Sequence, residues 1–213
     1  MRTPSRVRTC CGSYRDDEPS RPRWCREYVG EGVNTVIMTI RWLVRMRSTR
    51  RKATVGEALE TRFRVLLVDL DVLMHMTNGR YLSVLDAARI SYYARTGLWA
   101  QFRSRGWSPV VTAQTITYHR SLTFPRSYRV RTRLLGTDAK NLYFEQVFHI
   151  GDIDYATAFV SVRLTSKTHG SVGPAEILTL DGAFALPTEL PASVTSWSEF
   201  SRKPHSQNAR ESW

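Results

Sequence analysis

The stretch Val68-Asp69-Leu70-Asp71-Val72-Leu73-Met74-His75-Met76-Thr77-Asn78-Gly79-Arg80-Tyr81 decides how the rest of the chain is read. A strand-like run, Arg62-Phe63-Arg64-Val65-Leu66-Leu67-Val68, leads into it, and a long apolar segment leaves it. Thr77 or Asn78 is suited to cap that segment as a helix, because a short side-chain oxygen accepts a hydrogen bond from a free N–H of the first turn. Local sequence alone thus gathers two carboxylates, an imidazole and a helix N-terminus. Such a place can hold a polarised carbonyl beside a base.

Downstream, Gly79 to Thr96 carries only four charges, Arg80, Asp86, Arg89 and Arg95. So little polar face predicts a helix buried nearly all round. Gly97 is its natural stop, and a second short helix is expected from Leu98 to Arg105. The text then changes to period two. Pro109 to His119 reads as one strand, with a turn at Phe124-Pro125-Arg126-Ser127. In the next strand Tyr128, Val130, Thr132 and Leu134 alternate with Arg129, Arg131 and Arg133, a half-buried pattern with a basic outer face. Turns at Thr137–Asn141 and Gly151–Asp154 are short enough to join Leu142–Ile150 and Tyr155–Ser166 as consecutive antiparallel hairpins. Strand, buried helix, then four strands predicts an α+β domain in which a curved antiparallel sheet wraps one helix. Beyond Gly170 the sequence is loop-like, with short helices expected at Glu176-Ile177-Leu178 and Trp197-Ser198-Glu199-Phe200.

The 213 residues fit one domain with tails, and no apolar run approaches the 20 residues of a membrane-spanning helix. The net charge of +12 is concentrated at one end: residues 1–52 hold 13 Arg/Lys against 5 Asp/Glu. That placement argues against a nucleic-acid surface on the domain. Residues 1–37 read as a disordered basic tail without a secretory signal, and Met38 is an alternative natural start. Residues 38–57 form a basic amphipathic segment that either contacts a membrane surface or packs on the domain. The domain proper is expected over 58–168 and a C-terminal extension over 169–213. Cys10, Cys11 and Cys25 all lie in the tail, which suits a reducing compartment. They offer no fourth ligand or recognisable spacing, and the sequence carries no dinucleotide or P-loop glycine pattern, so neither a metal nor a cofactor is expected.

The pattern Asp-x-Asp-x-x-x-His-x-x-Asn-x-x-Tyr, set by Asp69, Asp71, His75, Asn78 and Tyr81, resembles the signature of hotdog-fold acyl thioesterases. These include the 4-hydroxybenzoyl-CoA thioesterase family and the plant acyl-acyl-carrier-protein thioesterases. The likeness is closest to the group around the animal thioesterase superfamily member 6 and its bacterial relatives. It runs from about Arg62 to Arg163, through His75–Leu82, Gly106–Val111, Arg120–Leu122 and Arg131–Gly136. The resemblance implies a hotdog fold, acyl-CoA or acyl-carrier-protein thioester hydrolysis, and a homodimer or tetramer; the location expected is cytoplasmic, with peripheral membrane association as the alternative.

By the same resemblance Asp71 is the nucleophile or the base that activates water, and His75 assists it or positions the substrate. The chemistry requires a carboxylate facing the acyl carbon while backbone N–H groups hold its oxygen. Asn78 and Gly79 supply those donors at the helix start, and Tyr81 completes the pattern. Alternatively, Asp71 binds loop N–H groups and His75 a neighbouring carbonyl, as structural residues. Leu73 and Met74 stand where many relatives have asparagine or glycine, and this apolar pair is suited to line an acyl pocket. Arg120, with Arg126, Arg129, Arg131 and Arg133, is a candidate for CoA phosphates or an acidic carrier helix. Asp69 reads as structural, and Asp86 with Arg89 as an internal ion pair or, alternatively, Asp86 as a second catalytic carboxylate. The competing function is a non-catalytic acyl-binding or membrane-associated hotdog protein.

Overall fold

The computed structural model describes residues 53–138, 140–166, 170–177, 179–180 and 190–202. The tail and the predicted amphipathic segment as far as Lys52 lie outside these residues. From Ala53 onward the chain already belongs to the domain: the Ala53 N–H donates to the Arg95 carbonyl, and Val55 is buried.

The elements run β1 (Leu59–Arg64), a 3-10 turn (Leu67–Asp69), α1 (Asn78–Arg95), α2 (Leu98–Ser104), β2 (Trp107–Tyr118), β3 (Ser127–Thr137), β4 (Asn141–Ile150), β5 (Ile153–Ser166), β6 (Gly170–Ser171), α3 (Pro174–Ile177) and α4 (Ala192–Arg202). The sheet is antiparallel in the order β1-β3-β4-β5-β2, with β6 added to β5. It curls around α1 in the hotdog arrangement expected from the sequence. Consecutive hairpins place β4 at the centre, and its residues are almost all buried, whereas β2 forms an exposed edge.

α1 buries Tyr81, Val84, Leu85, Ala88, Tyr92 and Tyr93 against the sheet, and Gly97 ends it with φ +79. It is not buried all round: Gly79, Ser83, Asp86 and Ala94 are exposed at helical spacing. The inner core has two apolar halves. One centres on Tyr92, Phe102, Phe144 and Leu164, the other on Tyr81, Leu85, Tyr128 and Phe148. Near the middle of the strands, Arg89 from α1 meets Gln146 of β4, which also bonds Thr132 of β3.

Two readings of the sequence shift. The first strand is Leu59–Arg64: the Val65 N–H still donates to the Arg126 carbonyl one step on in the same register, and the chain then turns away at Leu66, which opens the 3-10 turn. The C-terminal helix is Ala192–Arg202, longer than expected; its Val194 and Trp197 cover Leu135, Tyr143 and Phe159 on the other face of the sheet.

Candidate active site

The site begins where β1 ends. Asp69 turns its carboxylate back to accept the Leu66 N–H at 2.9 Å, closing the 3-10 turn. The chain then forms a tight hairpin from Leu70 to Met76, which face each other as a bridge pair. At its tip the Asp71 N–H donates to the His75 carbonyl at 2.8 Å and the Met74 N–H to the Asp71 carbonyl at 3.0 Å. The Asp71 Oδ1 accepts the N–H groups of Leu73 at 2.9 Å and His75 at 3.1 Å. Oδ2 makes no hydrogen bond among the described residues.

This three-residue loop needs a left-handed residue to return the chain, and Met74 supplies it at φ +60. Glycine is favoured there, since a bulky side chain in that region costs about 1 kcal/mol. Val72, Leu73 and Met74 are 97%, 71% and 57% exposed, so nothing among the described residues covers the apolar tip.

The hairpin is fixed on two sides. Met76 donates to the Leu122 carbonyl at 2.9 Å, and His75 bridges Thr123 on the loop between β2 and β3. On the helix side, Thr77 is the N-cap and its N–H donates to the Asp69 carbonyl at 2.9 Å. The expected side-chain cap is not made: Thr77 places no oxygen on the first turn. The main-chain N–H groups of Asn78 and Gly79 therefore have no partner among the described residues. Open donors at a helix start favour a negative charge.

The structure thus brings Asp71, Leu73, Met74, His75, Asn78 and Gly79 into one continuous hairpin and helix start. His75 is exposed, and its ring makes no hydrogen bond or ion pair among the described residues. Tyr81 lies beneath, 2% exposed, its hydroxyl oxygen accepting the Leu122 N–H at 3.2 Å. Burial, ahead of every other influence, raises its phenol above the ordinary value of 10.0, so it stays neutral. Arg120 sits on the loop that flanks the hairpin: its N–H donates to the Tyr155 carbonyl, and its side chain is exposed. Asp86 is apart from the hairpin, paired with Arg89 on α1. Among the described residues no cluster of His, Cys, Asp and Glu could hold a metal ion, and no helix is long and apolar enough to cross a membrane.

Sequence reading missed Arg80. Its guanidinium stands 2.6 Å from the Asp69 carboxylate. The available signal was a cation in the first turn of a helix, where the dipole disfavours it unless an acid is near.

Comparison with known proteins agrees with this architecture. The family described as Thioesterase-like superfamily matches residues 65–197. Protein THEM6 of Xenopus laevis is 35% identical over 150 residues, covering 70% of this chain and 70% of its own. Protein THEM6 of Drosophila melanogaster is 30% identical over 172 residues, covering 80% and 87%. Among solved structures, the probable thioesterase YbaW from Escherichia coli superposes with a TM-score of 0.54 at 22% identity, over 56% of this chain and 92% of its own. The hypothetical protein SAV2348 from Staphylococcus aureus, solved in complex with CoA, gives 0.53 at 17% identity, over 67% and 95%. The likeness to these two structures concerns the fold; on the family match and the relatives' identity, the chain belongs to the Thioesterase-like superfamily.

Proposed function

We propose that the protein hydrolyses an acyl thioester carried by CoA or by an acyl carrier protein. The observation that carries this reading is the Asp71 carboxylate. One oxygen is fixed by two loop N–H groups, and among the described residues the other is unengaged and the helix start that ends the same hairpin has open donors. In this reading a water adds to the acyl carbon while Asp71 takes its proton. The oxygen of the former carbonyl gathers negative charge against the Asn78 and Gly79 N–H groups. Collapse breaks the carbon–sulfur bond, and the thiolate leaves with the proton from Asp71, giving a carboxylic acid and a thiol. Direct attack by Asp71, followed by hydrolysis of the acyl-enzyme anhydride, gives the same products. Leu73 and Met74 offer apolar surface to the acyl group, His75 orients the reacting groups, and Arg120 faces the phosphates of the carrier. Tyr81 contributes by holding the Leu122 loop behind them.

Acyl binding without hydrolysis is the second reading, and one observation favours it. The Oδ1 of Asp71 is occupied as a turn-stabilising carboxylate would be, beside three exposed apolar side chains. A panel of aliphatic and aromatic acyl-CoAs, followed by thiol release, separates the two. Release from at least one is expected; measurable binding of an acyl-CoA with no release from any would replace the first reading by the second.

The same site is proposed to work in a homodimer. β2 pairs with β5 alone among the described residues, so one edge of twelve residues is left with unpaired backbone groups. Val110, Val111 and Tyr118 are exposed along it, and a second copy related by a twofold axis would cover both backbone and side chains. Sedimentation at micromolar concentration is expected to give twice the chain mass or a multiple of it, and a monomer would overturn the proposal.

A further inference from the structure

Asp69 is 4% exposed, and a carboxylate so far from water is costly unless its charge is compensated. Each of its oxygens goes to a different segment. Oδ2 holds the Leu66 N–H at the exit of β1. Oδ1 lies 2.6 Å from Nη2 of Arg80, in the first turn of α1. Oδ1 has no aligned hydrogen bond, so this contact is a charge pair. The main-chain oxygen accepts the Thr77 N–H at the N-cap. Everything between Asp69 and Thr77 is the Asp71 hairpin. Asp69 and Arg80 therefore form the base from which that hairpin hangs.

The position of Arg80 supports a specific purpose. A cation at a helix N-terminus weakens the helix unless an anion offsets it. Here the offset is buried and ties the helix start to the strand exit, which are the two ends whose separation sets the reach of Asp71. We propose that the Asp69–Arg80 pair is a positioning device, fixing the Asp71 carboxylate relative to the open Asn78 and Gly79 N–H groups. Neither residue is catalytic. The effect on turnover rests on the hydrolytic function proposed above; the effect on loop geometry does not.

Asp69→Asn keeps the size and an acceptor for the Leu66 N–H while removing the charge. Arg80→Met removes the cation along a similar stem, and Arg80→Lys retains it. Two measurements are made on the full chain, well below the melting temperature of each variant. One is the kcat and KM of acyl-CoA hydrolysis; the other is amide hydrogen exchange in peptides covering 70–78 and, as a reference, β4. A displacement of about 1 Å in a reacting group costs up to ~10²-fold, so Asp69→Asn and Arg80→Met are expected to lower kcat by about 10- to 100-fold with KM little changed. Arg80→Lys is expected to restore most of the loss. Exchange over 70–78 is expected to quicken while β4 stays protected.

Folded variants with undiminished kcat would overturn the proposal, as would exchange that is unchanged in the hairpin or raised equally in β4. If the unaltered protein hydrolyses no acyl-CoA, the hydrolytic reading fails and the exchange comparison alone decides this one. If Asp69→Asn does not fold, Arg80→Met and Arg80→Lys carry the comparison, since Arg80 is partly exposed and leaves the Leu66 turn intact.

Discussion

Asp71→Asn is expected to lower acyl-CoA hydrolysis by at least ~10²-fold while leaving the binding of a non-hydrolysable acyl-CoA analogue intact. The amide oxygen can take over both loop hydrogen bonds that Oδ1 now accepts from Leu73 and His75, so the hairpin keeps its shape. What disappears is the negative charge and the ability to accept a proton or attack a carbonyl carbon. A positioned acid–base group contributes about 10²- to 10⁴-fold, and the lower end of that range is the minimum expected here. His75→Ala is expected to cost less, because the ring is exposed and its main-chain N–H, not the ring, is what Asp71 holds. Asp86→Asn serves as the control: that carboxylate is 60% exposed and paired with Arg89 on α1. Turnover unaffected by Asp71→Asn but lost with Asp86→Asn would transfer the catalytic role to α1 and end the assignment.

The sequence disclosed the fold through periodicity. The apolar run of α1, the alternation in β3, and the two short turns before β4 and β5 each report one face of a regular element, and regular elements are what packing preserves. The hairpin was legible in its residue types, since Asp71, His75, Asn78 and Gly79 are adjacent in the chain. Its shape was not. Val65 to Val68 reads as strand by its apolar, β-branched content, yet Asp69 pulls Leu66 into a turn, leaving Leu67 and Val68 exposed. Thr77 occupies the N-cap position, but its side chain makes no bond to the first turn, which leaves the helix start open among the described residues. The roles of Arg80 and the Leu122–Thr123 loop were illegible for a common reason. Their roles are defined by partners across the fold, and no local pattern encodes a charge pair or bridge between loops. Arg89 shows both sides of this. Its pairing with Asp86 was legible from their spacing on the helix, whereas its bond to Gln146, 57 residues away, was not.

That junction carries the largest expected effect on stability. Gln146 is fully buried in the centre of β4, between Phe144 and Phe148 on the inner face. Its Oε1 accepts Nη1 of Arg89 at 2.7 Å, and its Nε2 donates to the Leu85 carbonyl at 3.0 Å and to the Thr132 hydroxyl at 3.1 Å. Gln146→Leu keeps a similar volume but supplies none of these bonds. The Arg89 guanidinium, 3% exposed, would keep Asp86 and lose its partner in the sheet. A buried charged donor without its acceptor costs more than a neutral one, so the loss is expected to be about 3 kcal/mol, read as a lowered denaturant midpoint. If unpaired polarity is the cause, removing the other partner must help. The double variant Arg89→Met with Gln146→Leu joins the two apolar halves of the core and is expected to recover most of the loss, because replacing both members of a buried polar pair is often close to neutral. A double variant as unstable as the sum of the two single ones would show that shape, not charge, decides the cost. The cycle therefore measures whether the polar junction is a requirement of the fold or a feature that an apolar core can replace.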